Sequence, residues 1–370
     1  VLLIYGRPEP VGDTNKLLVY CAAGILQPVE RIAAEYESEY GIEIEIKFGG
    51  SNSLLTQLDV DKFTEADLYL AGDDYYTELA REKGLAAETL PVAHMRPVVA
   101  VAADKDSGIS TFEDLLAENV RLSVPDADAA ALGRAVRSKL SGIGEGDKNA
   151  WSRLEKHVQE HGVFKPTVPD VATDVAVGTV DAGIVWDATV AMPEMRDKLR
   201  AISLAELEAD PNLVSVAVLN SSPEPTAALR FARYLTARDR GLPTFEDFGL
   251  RPVEGDVWVE RPSLRFFCGA VNRRAVDDIV HTFANREGVD IDVKYNGCGI
   301  LTGQMKAIDG QDPKLGFPDV YMACDVYYLE NVKQWFQEAA NVSDVEIVIA
   351  VPKGSDKVKS LADLVEPGVR

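Results

Sequence analysis

Apolar and polar positions follow two distinct rhythms near the start of the chain. Leu17, Leu18, Val19, Tyr20 and Cys21 make a short apolar run, after which Val29, Ile32, Tyr36 and Tyr40 recur at helical spacing until Gly41. Past that glycine, Ile42, Ile44, Ile46 and Phe48 alternate with charged residues, the period of a strand with one buried face. The same sequence of rhythms returns later. Residues 17–51 align without a gap onto residues 264–298, where Val276, Ile279 and Phe283 carry the helical stripe. Gly288 repeats the stop, and Val289, Ile291, Val293 and Tyr295 repeat the alternation. ADLYLAGDDYY (66–76) then matches PDVYMACDVYY (318–328), and VVAVAADKDSGISTFEDLL (98–116) matches IVIAVPKGSDKVKSLADLV (347–365) with one small gap. Self-similarity on this scale predicts a duplicated domain.

Strand, helix, strand, helix, strand in this order predicts βαβ units and an α/β fold with mostly parallel sheets. In such sheets a ligand lies beyond the carboxyl ends of the strands, beside helix N-termini. The loops that matter are therefore CAAG, GGSNS and AGDDYY in the first copy and CGAV, NGCG and ACDVYY in the second. Arg370 falls on Arg121 in this register, so the second copy is expected to be incomplete and the chain to be a piece of a longer one. The expected division is a leader over 1–16, a complete two-lobed domain over 17–255, a linker over 256–263 and a first lobe over 264–370. VLLIY followed by the polar spacer GRPEPVGDTNK reads as the tail of a signal sequence or membrane anchor, or as a short strand or loose leader.

Charge narrows the partners. With 60 Asp and Glu against 38 Lys and Arg, the formal net charge of −22 argues against nucleic acid and against an anionic membrane surface. An anion site in such a chain has to be built from local donors. GGSNS supplies them: Gly49 and Gly50 allow close backbone approach, and Ser51, Asn52 and Ser53 add donors at the start of helix LLTQL. A capped helix after a glycine turn is the plainer reading of the same residues. CAAG offers further backbone donors before Pro28, which suits an early helical position.

At this point the chain resembles the periplasmic molybdate-binding proteins, the solute receptors of ABC importers with the type II periplasmic-binding fold. The resemblance is carried by YCAAGILQPVERIAAEYESEYGIEIEIKFGGSNSLLTQL and ADLYLAGDDYYTELAREKGL. RPVVAVAADKDSGISTFEDLL is similar to the crossing into the second lobe, RLSVPDADAAALGRAVRSKL to that lobe's first βα unit, and DVATDVAVGTVDAGIVWDATVA to the return stretch. It spans roughly residues 17 to 250 and the second copy as far as it goes. The resemblance implies a two-lobed, extracytoplasmic receptor that is not an enzyme. It would hold an oxyanion, molybdate or tungstate, through neutral hydrogen-bond donors and hand it to importer membrane subunits.

Carried over by position, the implied ligand-binding residues are Ala23, Gly24, Gly50, Ser51, Asn52 and Ser53 in the first lobe. The second lobe would add Leu132, Gly133, Val171 and Trp186. Two positions depart from the family, which commonly has a hydroxyl residue at Gly24 and a tyrosine at Trp186. Asp73 and Asp187 stand close by in sequence; facing the ligand, either would favour a protonated anion such as phosphate, or a cation, and otherwise each caps a helix.

Cysteine placement raises a separate expectation. Cys268, Cys298 and Cys324 end the first three strands of the second copy, where the first copy has Cys21, Ser51 and Gly72. Three thiols aimed at one crevice suit a thiophilic metal or redox cofactor. They equally allow a disulfide in an oxidising compartment or inert packing. No other cofactor is implied. Cys21 reads as a small buried residue, and bulky Tyr20 before it makes a poor lipidation site. His157, Glu160 and His161 spell H-x-x-E-H, but Trp151, Leu154 and Val158 give their helix a core face and Gly162 ends it at once. The pairs Tyr75–Tyr76 and Tyr327–Tyr328 resemble ferric-iron ligands of related receptors, although helix-entry packing accounts for them too. An effector-binding regulatory domain is the remaining alternative, and no DNA-binding segment accompanies it.

Overall fold

The computed structural model describes residues 16–61, 65–208, 211–311 and 315–344, with a few isolated positions beyond. The leader up to residue 15 and most of the expected repeat over 347–365 lie outside the described residues. The chain divides into two compact units, Val1–Ser263 with Ile279–Asp290, and Leu264–Asp278 with Ile291–Arg370.

The first lobe of the first unit runs β1 (Lys16–Ala22), α1 (Leu26–Tyr40), β2 (Glu43–Gly49), α2 (Ser51–Val60), β3 (Leu68–Ala71), α3 (Asp74–Glu82) and β4 (Ala86–Met95). The chain crosses at Arg96 into the second lobe. That lobe holds β5 (Pro97–Ala102), α4 (Phe112–Leu115), β6 (Leu122–Pro125), α5 (Ala131–Ser141), α6 (Ala150–His161), β7 (Gly162–Lys165), α7 (Val168–Val177), β8 (Ala182–Trp186), α8 (Asp187–Ala191) and β9 (Leu199–Ile202). It then returns through β10 (Asn212–Leu219), α9 (Pro225–Leu235), α10 (Gly241–Asp247) and β11 (Arg251–Pro252). Next come β12 (Ser263–Gly269), α11 (Arg273–Glu287), β13 (Asp290–Asn296), α12 (Cys298–Asp309), β14 (Val320–Met322) and α13 (Val326–Glu330), of which Leu264–Asp278 and the residues from Ile291 onward belong to the second unit.

Both sheets of the first unit are mixed, not mostly parallel as the βαβ pattern predicts. Their orders among the described residues are β11-β4-β10-β3-β1-β2 and β7-β6-β8-β5-β9. β1 pairs in parallel with β2 and β3, and β6 with β7 and β8. β10 runs antiparallel to β3 and β4, and β5 antiparallel to β8 and β9. The reason is the crossing itself. Parallel strands end at the cleft, so a strand arriving from the other lobe enters at that edge and must run the opposite way. Pro97 accordingly pairs with Trp186, first residue against last.

Burial follows position in the sheet. β1 lies inside the sheet between β3 and β2 and is almost wholly buried, which explains its unbroken apolar run. β2 is an edge strand, and its alternation buries little: Phe48 is 61% exposed. α1 buries Val29, Ile32 and Tyr36 as its spacing predicts, and Tyr36 packs on Phe231 of α9 with ring centroids 4.9 Å apart. The matching stripe on α11 is left open, with Ile279 66% exposed. In the second unit a small core gathers Phe267, Leu301, Met305 and Val332. Its sheet has the order β13-β12-β14, as β2-β1-β3 do in the first.

Trp258, in the expected linker, packs on the first unit: its indole N–H donates to the Tyr40 hydroxyl at 3.0 Å. Among the described residues no helix is long and apolar enough to cross a membrane.

Candidate functional site

Helix ends decide the chemistry of the cleft. Several helices are capped by side chains: Asp73 on α3, Thr111 on α4, Asn149 on α6 and, on the cleft itself, Thr167 on α7. Three other cleft positions differ: Gly50 is the N-cap of α2, Ala130 that of α5, and Ala22 precedes the 3-10 turn Ala23–Ile25 that leads into α1. None offers a capping oxygen. First-turn N–H groups have no partner within their own helix, so those not taken elsewhere, as Asn52 N–H is by Ala129 O, remain available to a ligand. Each helix start also presents the positive end of its dipole.

These ends meet around one small cavity. Its wall is formed by Ala22, Ala23, Gly24 and Ile25; by Gly49, Gly50, Ser51 and Gly72; and by Met95. The second lobe closes it with Ala130, Ala131, Leu132, Thr167, Val168 and Trp186. No ionisable side chain is among them. The space open to the centre of a water-sized atom is about 20 Å³. A single water needs ~10–15 Å³ on that measure. The cavity therefore has room for a compact solute of a few heavy atoms.

Two side chains add neutral donors. Ser51 Oγ accepts the Gly72 backbone N–H at 3.2 Å, which leaves the hydroxyl proton free for the cavity. Tyr69 fixes the same residue by donating to the Ser51 carbonyl at 2.7 Å. Trp186 is buried, and a Cβ added to Gly24 or Gly72 would lie 3.5 Å from its Cδ1 or 3.8 Å from its Nε1 respectively. The indole thus occupies the space above both glycines. The two departures from the family pattern therefore stand side by side on the wall, with Trp186 in van der Waals reach of a Cβ at Gly24.

Ala23, Gly24, Gly50, Ser51, Leu132 and Trp186 are brought together on the wall; Asn52, Ser53, Gly133 and Val171 are not. Asn52 instead joins the lobes, its N–H donating to Ala129 O at 3.1 Å and its side-chain amide to Asp128 O at 2.7 Å. Gly133 lets α5 start tight against β6, since a Cβ there would sit 2.5 Å from the carbonyls of Asp126 and Pro125. Gly133→Ala is expected to destabilise the second lobe by about 1–3 kcal/mol through overpacking. Chemical denaturation would check this, and an unchanged midpoint would refute the close-approach role. Val171 is core, packed where a Cβ on Gly183 would meet its Cγ1 at 2.6 Å. Met95, Thr167 and Ala130 were not singled out from sequence, and Gly72 was marked only as the residue opposite Cys324 at a strand end. Only the GGSNS-like pattern of small residues before a helix hinted at such positions.

The two acids near the site face away from it. Asp73 caps α3 through Tyr75 N at 3.0 Å, pairs with Arg134 of the second lobe at 2.6 Å, and accepts from Asn212 at 2.9 Å. Arg134 also lies over the Tyr75 ring, 3.9 Å from its centroid. Asp187 accepts from the Arg96 N–H at 2.8 Å and from Arg251 at 2.8 Å, beside the crossing between lobes. The H-x-x-E-H residues form no metal centre: His157 is buried with Nε2 2.9 Å from Val120 O, and Glu160 pairs with Lys156 at 3.9 Å.

In the second unit the three thiols do not converge as a trio. Cys298 and Cys324 approach to 2.7 Å between sulfurs, whereas Cys268 is buried and turned to the Gly269 carbonyl at 3.6 Å. Cys21 makes the same local contact with Ala22 O at 3.5 Å. Among the described residues no group of three or more His, Cys, Asp or Glu side chains is arranged to hold a metal ion. Burial, then the neighbouring Cys298, push the Cys324 thiol up to about 11.

A family model described as bacterial extracellular solute-binding protein matches residues 17–251 and 264–370. A binding protein of Haemophilus influenzae is 30% identical over 242 residues, covering 64% of this chain and 91% of its own length. The molybdate-binding protein ModA of Escherichia coli K12 is 24% identical over 153 residues, 39% of this chain and 56% of that protein. Among solved structures, the periplasmic molybdate-binding protein of Azotobacter vinelandii aligns with TM-score 0.51 at 17% identity, covering 63% of this chain and 98% of that one. The periplasmic binding protein AfuA of Actinobacillus pleuropneumoniae, with fructose-6-phosphate bound, aligns with TM-score 0.58 at 16% identity, covering 66% and 88%. These two likenesses establish the type II periplasmic-binding fold.

Proposed function

The chain belongs to the bacterial extracellular solute-binding proteins, and from that premise we propose that its first domain captures a fully deprotonated tetrahedral oxyanion, of the molybdate and tungstate kind, for delivery to an ABC importer. One observation carries the reading: uncapped helix starts from both lobes surround a cavity of about 20 Å³ with no ionisable side chain on its wall. A dianion without a proton needs donors alone. Backbone N–H groups, the Ser51 hydroxyl and the Trp186 indole supply them, and no acceptor carboxylate waits for a protonated phosphate. The size of the space disfavours the sugar phosphate bound by AfuA. The name of the Escherichia coli relative points the same way. We read residues 264–370 as a second copy of the same domain.

Thermal shift and calorimetry with molybdate, tungstate, sulfate and phosphate test this. One of the first three should raise the melting midpoint by ligand linkage. No shift with any of them, or a preference for phosphate, would sink the oxyanion reading. Ser51→Ala should weaken the preferred anion by about 10- to 100-fold, the worth of a hydrogen bond to a charged group. Because no titratable side chain lines the cavity, affinity for that anion should stay flat from mildly acidic to mildly basic pH. A titration step in calorimetry would point to an ionisable group at the ligand.

A further inference from the structure

We propose that Cys298 and Cys324 form a disulfide that staples the start of α12 to the loop after β14, making the strand-end face of the second unit sensitive to oxidation. The proposal is independent of which anion the first unit takes. Its sulfurs lie 2.7 Å apart, and the Cys324 N–H donates to Cys298 Sγ at 3.2 Å. The first unit has the same link in oxygen form, Gly72 N–H to Ser51 Oγ at 3.2 Å. In both units a tyrosine hydroxyl reaches the carbonyl of the linking residue, Tyr69 to Ser51 and Tyr321 to Cys298. Two paired changes thus turn a hydrogen-bonded contact into a pair of thiols.

A third change makes room for it. Ala22 of the first copy corresponds to Gly269, and a Cβ there would lie 2.7 Å from Cys298 Sγ and 3.5 Å from Cys324 N. A sulfur at Cys298 requires the loss of that methyl. Cys268 stays outside the pair, occupying the packing position of Cys21. Cys324 is exposed, so an exchange partner can reach it. The family is extracellular, a compartment in which disulfides persist.

The chemistry balances by thiol–disulfide exchange with a small disulfide such as glutathione disulfide. The thiolate of one cysteine attacks it, releasing one thiol, and the resulting mixed disulfide is displaced by the second cysteine, releasing another. Two thiols of the protein lose two protons and two electrons, and the donor disulfide becomes two thiols.

The test uses the full chain incubated with glutathione disulfide, then alkylated under denaturing, non-reducing conditions, digested and mapped by mass spectrometry. The expected product is one crosslinked peptide pair holding Cys298 and Cys324, with Cys21 and Cys268 alkylated. Alkylation of all four cysteines, or a crosslink that includes Cys268, overturns the proposal. The Cys298→Ser, Cys324→Gly variant restores the first copy's residues and should lose both the crosslink and any dependence of its melting midpoint on reductant. An undiminished reductant dependence in that variant would also overturn it.

Discussion

Gly50→Ala is expected to remove most of the oxyanion affinity while leaving the ligand-free protein about as stable as before. Gly50 has φ −67° and ψ 141°, a conformation open to alanine, so no backbone strain opposes the change in an open molecule. Closure is a different matter. A Cβ at this position would lie 2.4 Å from the Ala129 carbonyl oxygen and 2.9 Å from that of Pro166, both backbone atoms of the opposite lobe. Backbone cannot swing aside as the end of a flexible side chain can. Overpacking of this kind costs about 1–3 kcal/mol and occasionally more, or roughly 5- to 150-fold in affinity, charged to the closed state alone. Calorimetry on the variant gives the answer, and an affinity equal to that of the parent would show that closure does not require this approach.

Arg134→Met should weaken binding by about tenfold or more, again with little change in the ligand-free protein. Arg134 reaches across the cleft to Asp73, whose side chain is 3% exposed against 23% for Arg134. With the arginine gone, Asp73 stays buried in the closed form with only the Asn212 amide and the Tyr75 N–H as donors. Losing one partner of a fully buried pair costs about 3–5 kcal/mol, and partial exposure of the arginine reduces that here. In the open form Asp73 regains water, so the penalty falls on closure. Small-angle scattering with saturating anion should find more of the variant open than of the parent. Equal closed fractions would remove Arg134 from the closing contact.

How much of this was legible beforehand differs by residue. The order of strands and helices, the Gly41 and Gly288 stops and the buried stripe Val29–Ile32–Tyr36 follow from spacing alone, because local periodicity reports which face of an element is apolar. The openness of the equivalent stripe on α11 does not follow, since cover by α9 and α10 comes from residues two hundred positions away. Ser51 was legible as a donor at a helix start. That Asn52 beside it would turn to Asp128 and Ala129 was not, because its partner is carried by another lobe.

By itself the sequence determined the α/β character, the small donor residues Gly50 and Ser51 at a helix start, and the cysteines at the ends of three strands. Only the tertiary structure decided that helix starts from both lobes face one another, that Asp73 and Asp187 are spent on Arg134 and Arg251, and that Cys298 meets Cys324 without Cys268. The physical reason is the same in each case. Propensity and capping act within a few residues of the chain, whereas a binding cavity, an ion pair across a cleft and a thiol pair are made by segments whose separation in sequence carries no record of their distance in space.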